Sequence, residues 1–208
     1  MNGKMKGAAL IIVDVQYDFL PGGALAVPHG AEVVPVINLL ARKFGDVIMT
    51  QDWHPAGHAS FASSHPGKTP YETVDLPYGK QALWPDHCVQ ETRGAMICGD
   101  LDVPACRMII RKGHNMGIDS YSAFMENDHK TPTGLAGYLR ELDVGAIYLA
   151  GLATDFCVLY SALDGAAAGF EVNVVEDACR GIDIEGSLAA AWDKMISAGA
   201  RRIRSGDL

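Results

Sequence analysis

The chain has no C-x-x-C pair, no run of lysine or arginine, and no apolar stretch long enough to cross a membrane. Each absence removes a class of protein. Its five cysteines, Cys88, Cys98, Cys106, Cys157 and Cys179, form an odd set. That suits a reducing cytoplasm better than a disulfide framework, and it leaves room for one thiol to do chemistry. With 17 basic against 25 acidic residues the formal net charge is −8. No basic stripe offsets it, so neither nucleic acid nor an anionic membrane has an electrostatic footprint to bind. The apolar run at 8–13 stops at Asp14, too short for a membrane span or a signal-peptide core. These exclusions predict a cytoplasmic protein with a small-molecule substrate.

What is present is ordinary globular composition, 49% hydrophobic and 20% charged over 208 residues, which excludes disorder and fibrous repeats. The length suits a single domain spanning 1–208. Strand-length apolar runs recur at 8–13, 46–50, 107–111, 146–150 and 171–175, with a weaker candidate at 202–204. The first and fourth are apolar nearly throughout, as in strands covered on both faces. Helical patterns fall between them, at 31–44, 133–142, 154–168 and 184–198. The last two end at Gly169 and Gly199, plausible C-terminal caps. The alanine-rich 184–198 could face a subunit contact as easily as the core, which leaves a homo-oligomer open. Strand–helix alternation predicts an α/β fold, a three-layer α/β/α sandwich on a mainly parallel, Rossmann-like sheet. Residues 51–106 break the rhythm with many Pro, Gly and His and no clean period. They read as a loop-rich functional insertion.

In open α/β sheets ligands bind at the carboxyl ends of the strands. There the sequence places Asp14, then Asp52-Trp53-His54, then Lys112, then Thr154-Asp155-Phe156-Cys157. Taken singly, Asp14 is a cap, Lys112 a solvated charge and Cys157 a small buried hydrophobe. Their convergence on one edge favours a site. With Thr154 as N-cap, Cys157 falls in the first helical turn, where free N–H groups and the macrodipole favour a thiolate or an oxyanion. Lys112 nearby would depress the thiol pKa further. Asp14 could take the thiol proton and return it to a leaving amine. Cysteine, acid/base and ammonium are the parts of an acyl-transfer site.

A second constellation reads as metal. An extended Asp52-x-His54 puts both side chains on one face, and His87 could complete a set of two imidazoles and a carboxylate. Such a set suits Zn²⁺ or Fe²⁺, with Mn²⁺ admissible. His58 and His65 compete for the role, and Ser60 could add an oxygen directly or through water. His29, His114 and His129 read as surface or loop histidines. Phe19, Trp84 and Tyr121 could line a flat slot, although aromatics in α/β proteins are more often core.

Together the segments Ile12-Val13-Asp14-Val15-Gln16-Tyr17-Asp18-Phe19, Thr50-Gln51-Asp52-Trp53-His54-Pro55, Trp84-Pro85-Asp86-His87-Cys88-Val89, Arg111-Lys112-Gly113 and Gly151-Leu152-Ala153-Thr154-Asp155-Phe156-Cys157-Val158 resemble the nicotinamidase/pyrazinamidase family of isochorismatase-like hydrolases. The resemblance implies a triad of Asp14, Lys112 and Cys157, and a metal on Asp52, His54 and His87 with Ser60 at a variable fourth position. It implies a cis peptide before Ala153 and an oxyanion hole at the Ala153 and Cys157 amides. Phe19, Leu25, Trp84, Tyr121 and Phe156 match pocket positions. The implied reaction is hydrolysis of nicotinamide, and of pyrazinamide, through a cysteine thioester, with the ring nitrogen on the metal, in salvage toward NAD. Four other readings compete. An N-carbamoyl-amine amidase would share the Asp/Lys/Cys chemistry but has no use for a metal, and a vinyl-ether hydrolase has no need of the cysteine. A non-catalytic metal or small-molecule binding protein would hold metal and hydrolyse nothing. A thiol sensor would need a resolving cysteine such as Cys179 near Cys157.

Overall fold

The computed structural model describes residues 4–208. Six parallel strands form one sheet: β1 (Met5–Val13), β2 (Phe44–Asp52), β5 (Cys106–Lys112), β6 (Ala146–Leu152), β7 (Glu171–Arg180) and β8 (Arg201–Ile203). Their order is β5-β2-β1-β6-β7-β8. The chain winds outward from β1 in one direction and then, from β6, in the other. The carboxyl ends of β1 and β6 therefore flank the crevice where the winding reverses.

The alternation of β1 explains the layers. Ala8, Leu10 and Ile12 pack with α1 (Val33–Ala41), while Ala9, Ile11 and Val13 pack with α2 (Leu135–Glu141), α3 (Leu159–Ala167) and α4 (Ser187–Ser197). Leu10, Ile11 and Ile12 are buried completely or almost so, each worth roughly 1.5–3 kcal/mol. The sandwich expected from the sequence is thus observed. In α4, Ala191, Trp192 and Met195 are buried in this core, while Ile196 is exposed. Among the described residues no helix is long and apolar enough to cross a membrane.

Several boundaries differ from the sequence pattern. The pattern at 31–44 gives a helix of only Val33–Ala41, and Phe44 opens β2 instead. The helix expected from Thr154 is capped by Ala153 and begins as a π-helical turn, Thr154–Val158. Within 51–106 lies a hairpin that the sequence pattern did not reveal, β3 (Thr73–Leu76) against β4 (Gly79–Ala82). Its strands are only four residues long, with an exposed/half-buried alternation in β3 and a buried glutamine in β4, too short a stretch for a period to register.

Gly151 shows how the crevice is built. It pairs with Val13 at φ +125, and a Cβ there would run into the Val13 backbone. Only glycine lets β6 close on β1 where Asp14 emerges.

Candidate active site

Lys112, at the end of β5, is buried to 1% exposure, which a lysine tolerates only when paired. Its Nζ lies 2.7 Å from Asp14 Oδ2, against Asp52 Oδ1, and donates to the Ser120 carbonyl (3.0 Å) and Cys157 Sγ (3.5 Å). Burial works to strip its proton, but Asp14 and Asp52 outweigh it and hold the pKa well above the ordinary value. Asp14 follows β1 at φ +48, and its Oδ1 accepts from Thr50 Oγ1 (2.6 Å). Burial pushes its carboxyl up to about 6 against the pull of Lys112. Burial presses on Asp52 in the same sense, but Lys112 and the imidazoles outweigh it and hold that carboxyl well below the usual range.

Cys157 corrects an expectation. The thiol is not poised as a thiolate, because burial pushes its pKa well above the ordinary value and Asp14 and Asp52 reinforce this against Lys112. The ammonium that was to activate the thiol is already neutralised by two carboxylates. In the turn that carries Cys157, the Ala153 carbonyl accepts from Phe156 and Val158, 3.1 Å each, the amides on either side of Cys157. The Leu152–Ala153 peptide is cis. Cys179 is no resolving thiol of the reactive kind: burial pushes its pKa up to about 12, and its Sγ faces the Leu149 carbonyl.

Asp52, His54 and His87 converge, each offering one atom of a set lying within 4.8 Å of one another. Asp52 Oδ2, the oxygen not engaged by Lys112, is 3.7 Å from His54 Nε2 and 3.9 Å from His87 Nε2. Both imidazoles give Nδ1 to a backbone carbonyl, His54 to Gly113 (2.9 Å) and His87 to Pro85 (2.8 Å). A carbonyl only accepts, so each Nδ1 carries a proton, and Nε2 of the neutral ring is the nitrogen left to present a lone pair. That is the second hydrogen bond typical of metal-binding histidines. Burial, helped by His54, pushes His87 down to about 4, keeping it neutral. This donor set fits a divalent ion. Gly113, at φ +64, is the second position that demands glycine, since a Cβ would strike the His54 ring.

Ser60 has its hydroxyl on His58 Nδ1 (2.8 Å), while His58 Nε2 donates to the Asn115 carbonyl (2.9 Å). His65 is tied to the Ala59 carbonyl (2.8 Å). His29, His114 and His129 are exposed. Phe19, Leu25, Trp84, Tyr121 and Phe156 line one pocket with Asp52, His87, Ala153 and Cys157.

Sequence reasoning missed four contributors. Asp119 and Ile182 line the same pocket, and Asp119 Oδ1 lies 4.0 Å from His54 Nε2. Gln16 clasps both backbone groups of Asp52, accepting from its N–H and donating to its carbonyl at 2.8 Å each. Asp18 Oδ2 accepts the Cys88 N–H (2.7 Å), fixing the turn that carries His87. Gln16 and Asp18 belong to the first motif, which could have flagged them. Asp119 carries no local signal. A larger cavity, about 650 Å³, lies between β7, β8 and α4, away from Asp14 and Lys112. Charges around it are partly paired, as Arg202 is with Glu176 at 2.6 Å.

Fold and geometry define an α/β protein with a buried Asp–Lys–Cys centre beside a two-histidine, one-carboxylate ligand set. The chain belongs to the isochorismatase family, whose domain model matches residues 8–207. It is 53% identical over 197 residues to the nicotinamidase of Acinetobacter baylyi, covering 95% of this chain and 92% of that one. Among solved structures it resembles the nicotinamidase/pyrazinamidase of Acinetobacter baumanii, with TM-score 0.97, 53% identity and 99% of each chain covered. It also resembles the pyrazinamidase of Pyrococcus horikoshii in complex with zinc, with TM-score 0.77, 36% identity and 95% and 99% covered.

Proposed function

We propose that the chain is an amidohydrolase that converts nicotinamide to nicotinate and ammonia, and pyrazinamide to pyrazinoate, through a thioester on Cys157. The observation that carries this is the pocket: one slot with aromatic walls is lined at once by Asp52 and His87 of the ligand set and by Ala153 and Cys157. A flat ring bearing a carboxamide, and a ring nitrogen able to face the ligand set, matches that slot. A carbamoyl amine would leave the ligand set without a task.

Asp52, His54 and His87 would hold a divalent ion, zinc or iron, with manganese also compatible and Ser60 as a further oxygen, directly or through water. When bound, that ion supplies a Lewis acid that orients the ring nitrogen. Asp14 takes the Cys157 thiol proton as sulfur attacks the carboxamide carbon, at the near-attack geometry that lowers such barriers. The amides of Ala153 and Cys157 receive the oxyanion. Asp14 passes its proton to the departing ammonia, leaving the thioester. A water then gives its proton to Asp14 and attacks the acyl carbon. Collapse releases nicotinate and restores the thiol from Asp14. Lys112 stays protonated throughout and balances the charge on Asp14 and Asp52. We place this activity in a single domain, with 51–106 as the insertion that completes the pocket, in the cytoplasm.

The test is ammonia release from nicotinamide by purified protein, before and after verified metal removal and with metal restored. Release that is lost on removal and regained on restoration is expected. Release that survives without metal would leave the cysteine chemistry standing and overturn the role of Asp52, His54 and His87.

A further inference from the structure

We infer that Gln81, on the hairpin strand β4, is a positioning residue for the substrate pocket: it locks Asp119 and Tyr121 in place from behind. Gln81 is 1% exposed, although its neighbour Lys80 is exposed. Its Nε2 carries two protons and lies within hydrogen-bond distance of three acceptors, Asp119 Oδ2 (2.7 Å), the Ala82 carbonyl (2.7 Å) and Tyr121 Oη (2.9 Å), so one N–H is shared between two of them. Its Oε1 accepts from Tyr78 Oη (3.0 Å) and Asn127 Nδ2 (3.2 Å). A carboxylate and a carbonyl can only accept, so the amide orientation is fixed by chemistry.

The network closes on itself. Asn127 Oδ1 accepts the Tyr121 N–H (3.0 Å), and Trp84 Nε1 donates to the Tyr121 hydroxyl (3.0 Å). That hydroxyl oxygen is thereby faced from behind by the Trp84 indole N–H and the shared Gln81 N–H. Among the described residues none takes its proton, which leaves Tyr121 a donor for whatever occupies the pocket. An apolar residue at 81 would pin the hairpin as well by packing. It could not serve a buried carboxylate and a phenol. Asp14 and Cys157 make no direct hydrogen bond to this network, which reaches Lys112 only through the Ser120 backbone, whose N–H donates to Asp119 Oδ1 (2.8 Å) and whose carbonyl accepts from Lys112 Nζ (3.0 Å), so the larger part of its loss falls on binding.

The role rests on nicotinamide being the substrate, and the test separates the two. Q81M, isosteric but without donors, and Q81E, which faces Asp119 with an oxygen, are compared with the wild-type metal-loaded enzyme. The readouts are kcat and KM for ammonia release, nicotinate Kd by calorimetry, and metal content. KM and Kd should rise about tenfold, as the loss of a hydrogen bond to a charged group implies, with kcat within about threefold. Metal content should be unchanged. Unchanged KM and Kd in a folded variant, or a fall in kcat alone, would overturn the role. Should neither variant fold, Y78F removes the hydroxyl that donates to Gln81 and accepts the Asp119 N–H (3.3 Å), and should raise KM about threefold, with an unchanged KM again decisive against it. A wild type that releases no ammonia and binds no nicotinate would instead remove the substrate assignment, and this role with it.

Discussion

In the proposed mechanism Cys157 keeps its proton until substrate is in place, and Asp14 is the group that removes it. The pair divides the work according to burial: the thiol is raised well above its ordinary pKa, while Asp14 is raised to about 6. Asp14 is a competent base only when ionised. The kcat/KM profile for nicotinamide should therefore climb about tenfold per pH unit below pH 6 and level off above it. For stability the sign is reversed. A carboxyl whose pKa rises from 3.8 to about 6 on folding is protonated in both states below the lower value. Between the two values the unfolded chain releases its proton first, so this group makes the fold less stable as pH rises through that window. Replacing Cys157 by Ala should lower turnover by on the order of 10⁴-fold or more, as removal of a nucleophile does, with melting little changed. Near-normal ammonia release from that variant would assign the nucleophile elsewhere.

At the scale of elements, several functional side chains ride on segments held by a polar anchor. The clearest is Asp155, which accepts from the Ile182 N–H (3.0 Å), the Asp183 N–H (2.8 Å) and the Ser187 hydroxyl. These bonds hold the segment after β7 so that Ile182 forms a wall of the pocket. Asp155→Ala should cost about 2–3 kcal/mol, a drop of roughly 5–10 °C in Tm for a chain of this size. It should also raise KM for nicotinamide as Ile182 loosens. A lowered Tm with KM unchanged would confine Asp155 to stability. Such anchors explain what the sequence could and could not disclose. β1 and β6 were readable because burial on both faces demands an unbroken apolar run. Asp14, Lys112 and Cys157 were readable because strand ends converge in a parallel sheet. Gln81 and Asp119 were not, since they lie 38 positions apart and neither sits in an apolar period. Phe44 misled for a related reason: an apolar residue in phase with α1 was spent on starting β2.

Across the whole molecule, the winding reversal brings Asp14 and Cys157 together, while the ligand set binds the insertion to the sheet. Asp52 ends a sheet strand, whereas His54 and His87 lie on separate loop segments of 51–106. An ion held by all three would cross-link stretches that are distant in sequence and disordered relative to one another in the unfolded chain. A ligand that binds only the folded state stabilises it by about 2.7 kcal/mol at a hundredfold excess over Kd. For a chain of this size that is roughly 5–10 °C in Tm. Chelation should lower the melting temperature by about this amount, and stoichiometric zinc should restore it. In Asp52→Asn the ligand set loses its charge and Lys112 loses a partner, so melting should fall without metal and recover little when zinc is added. A wild type that melts identically with and without verified metal would mean the ligand set is not occupied in the folded protein. Aligned Nε2 lone pairs would then have no tenant, and the slot would have to hold the substrate ring through its aromatic walls alone.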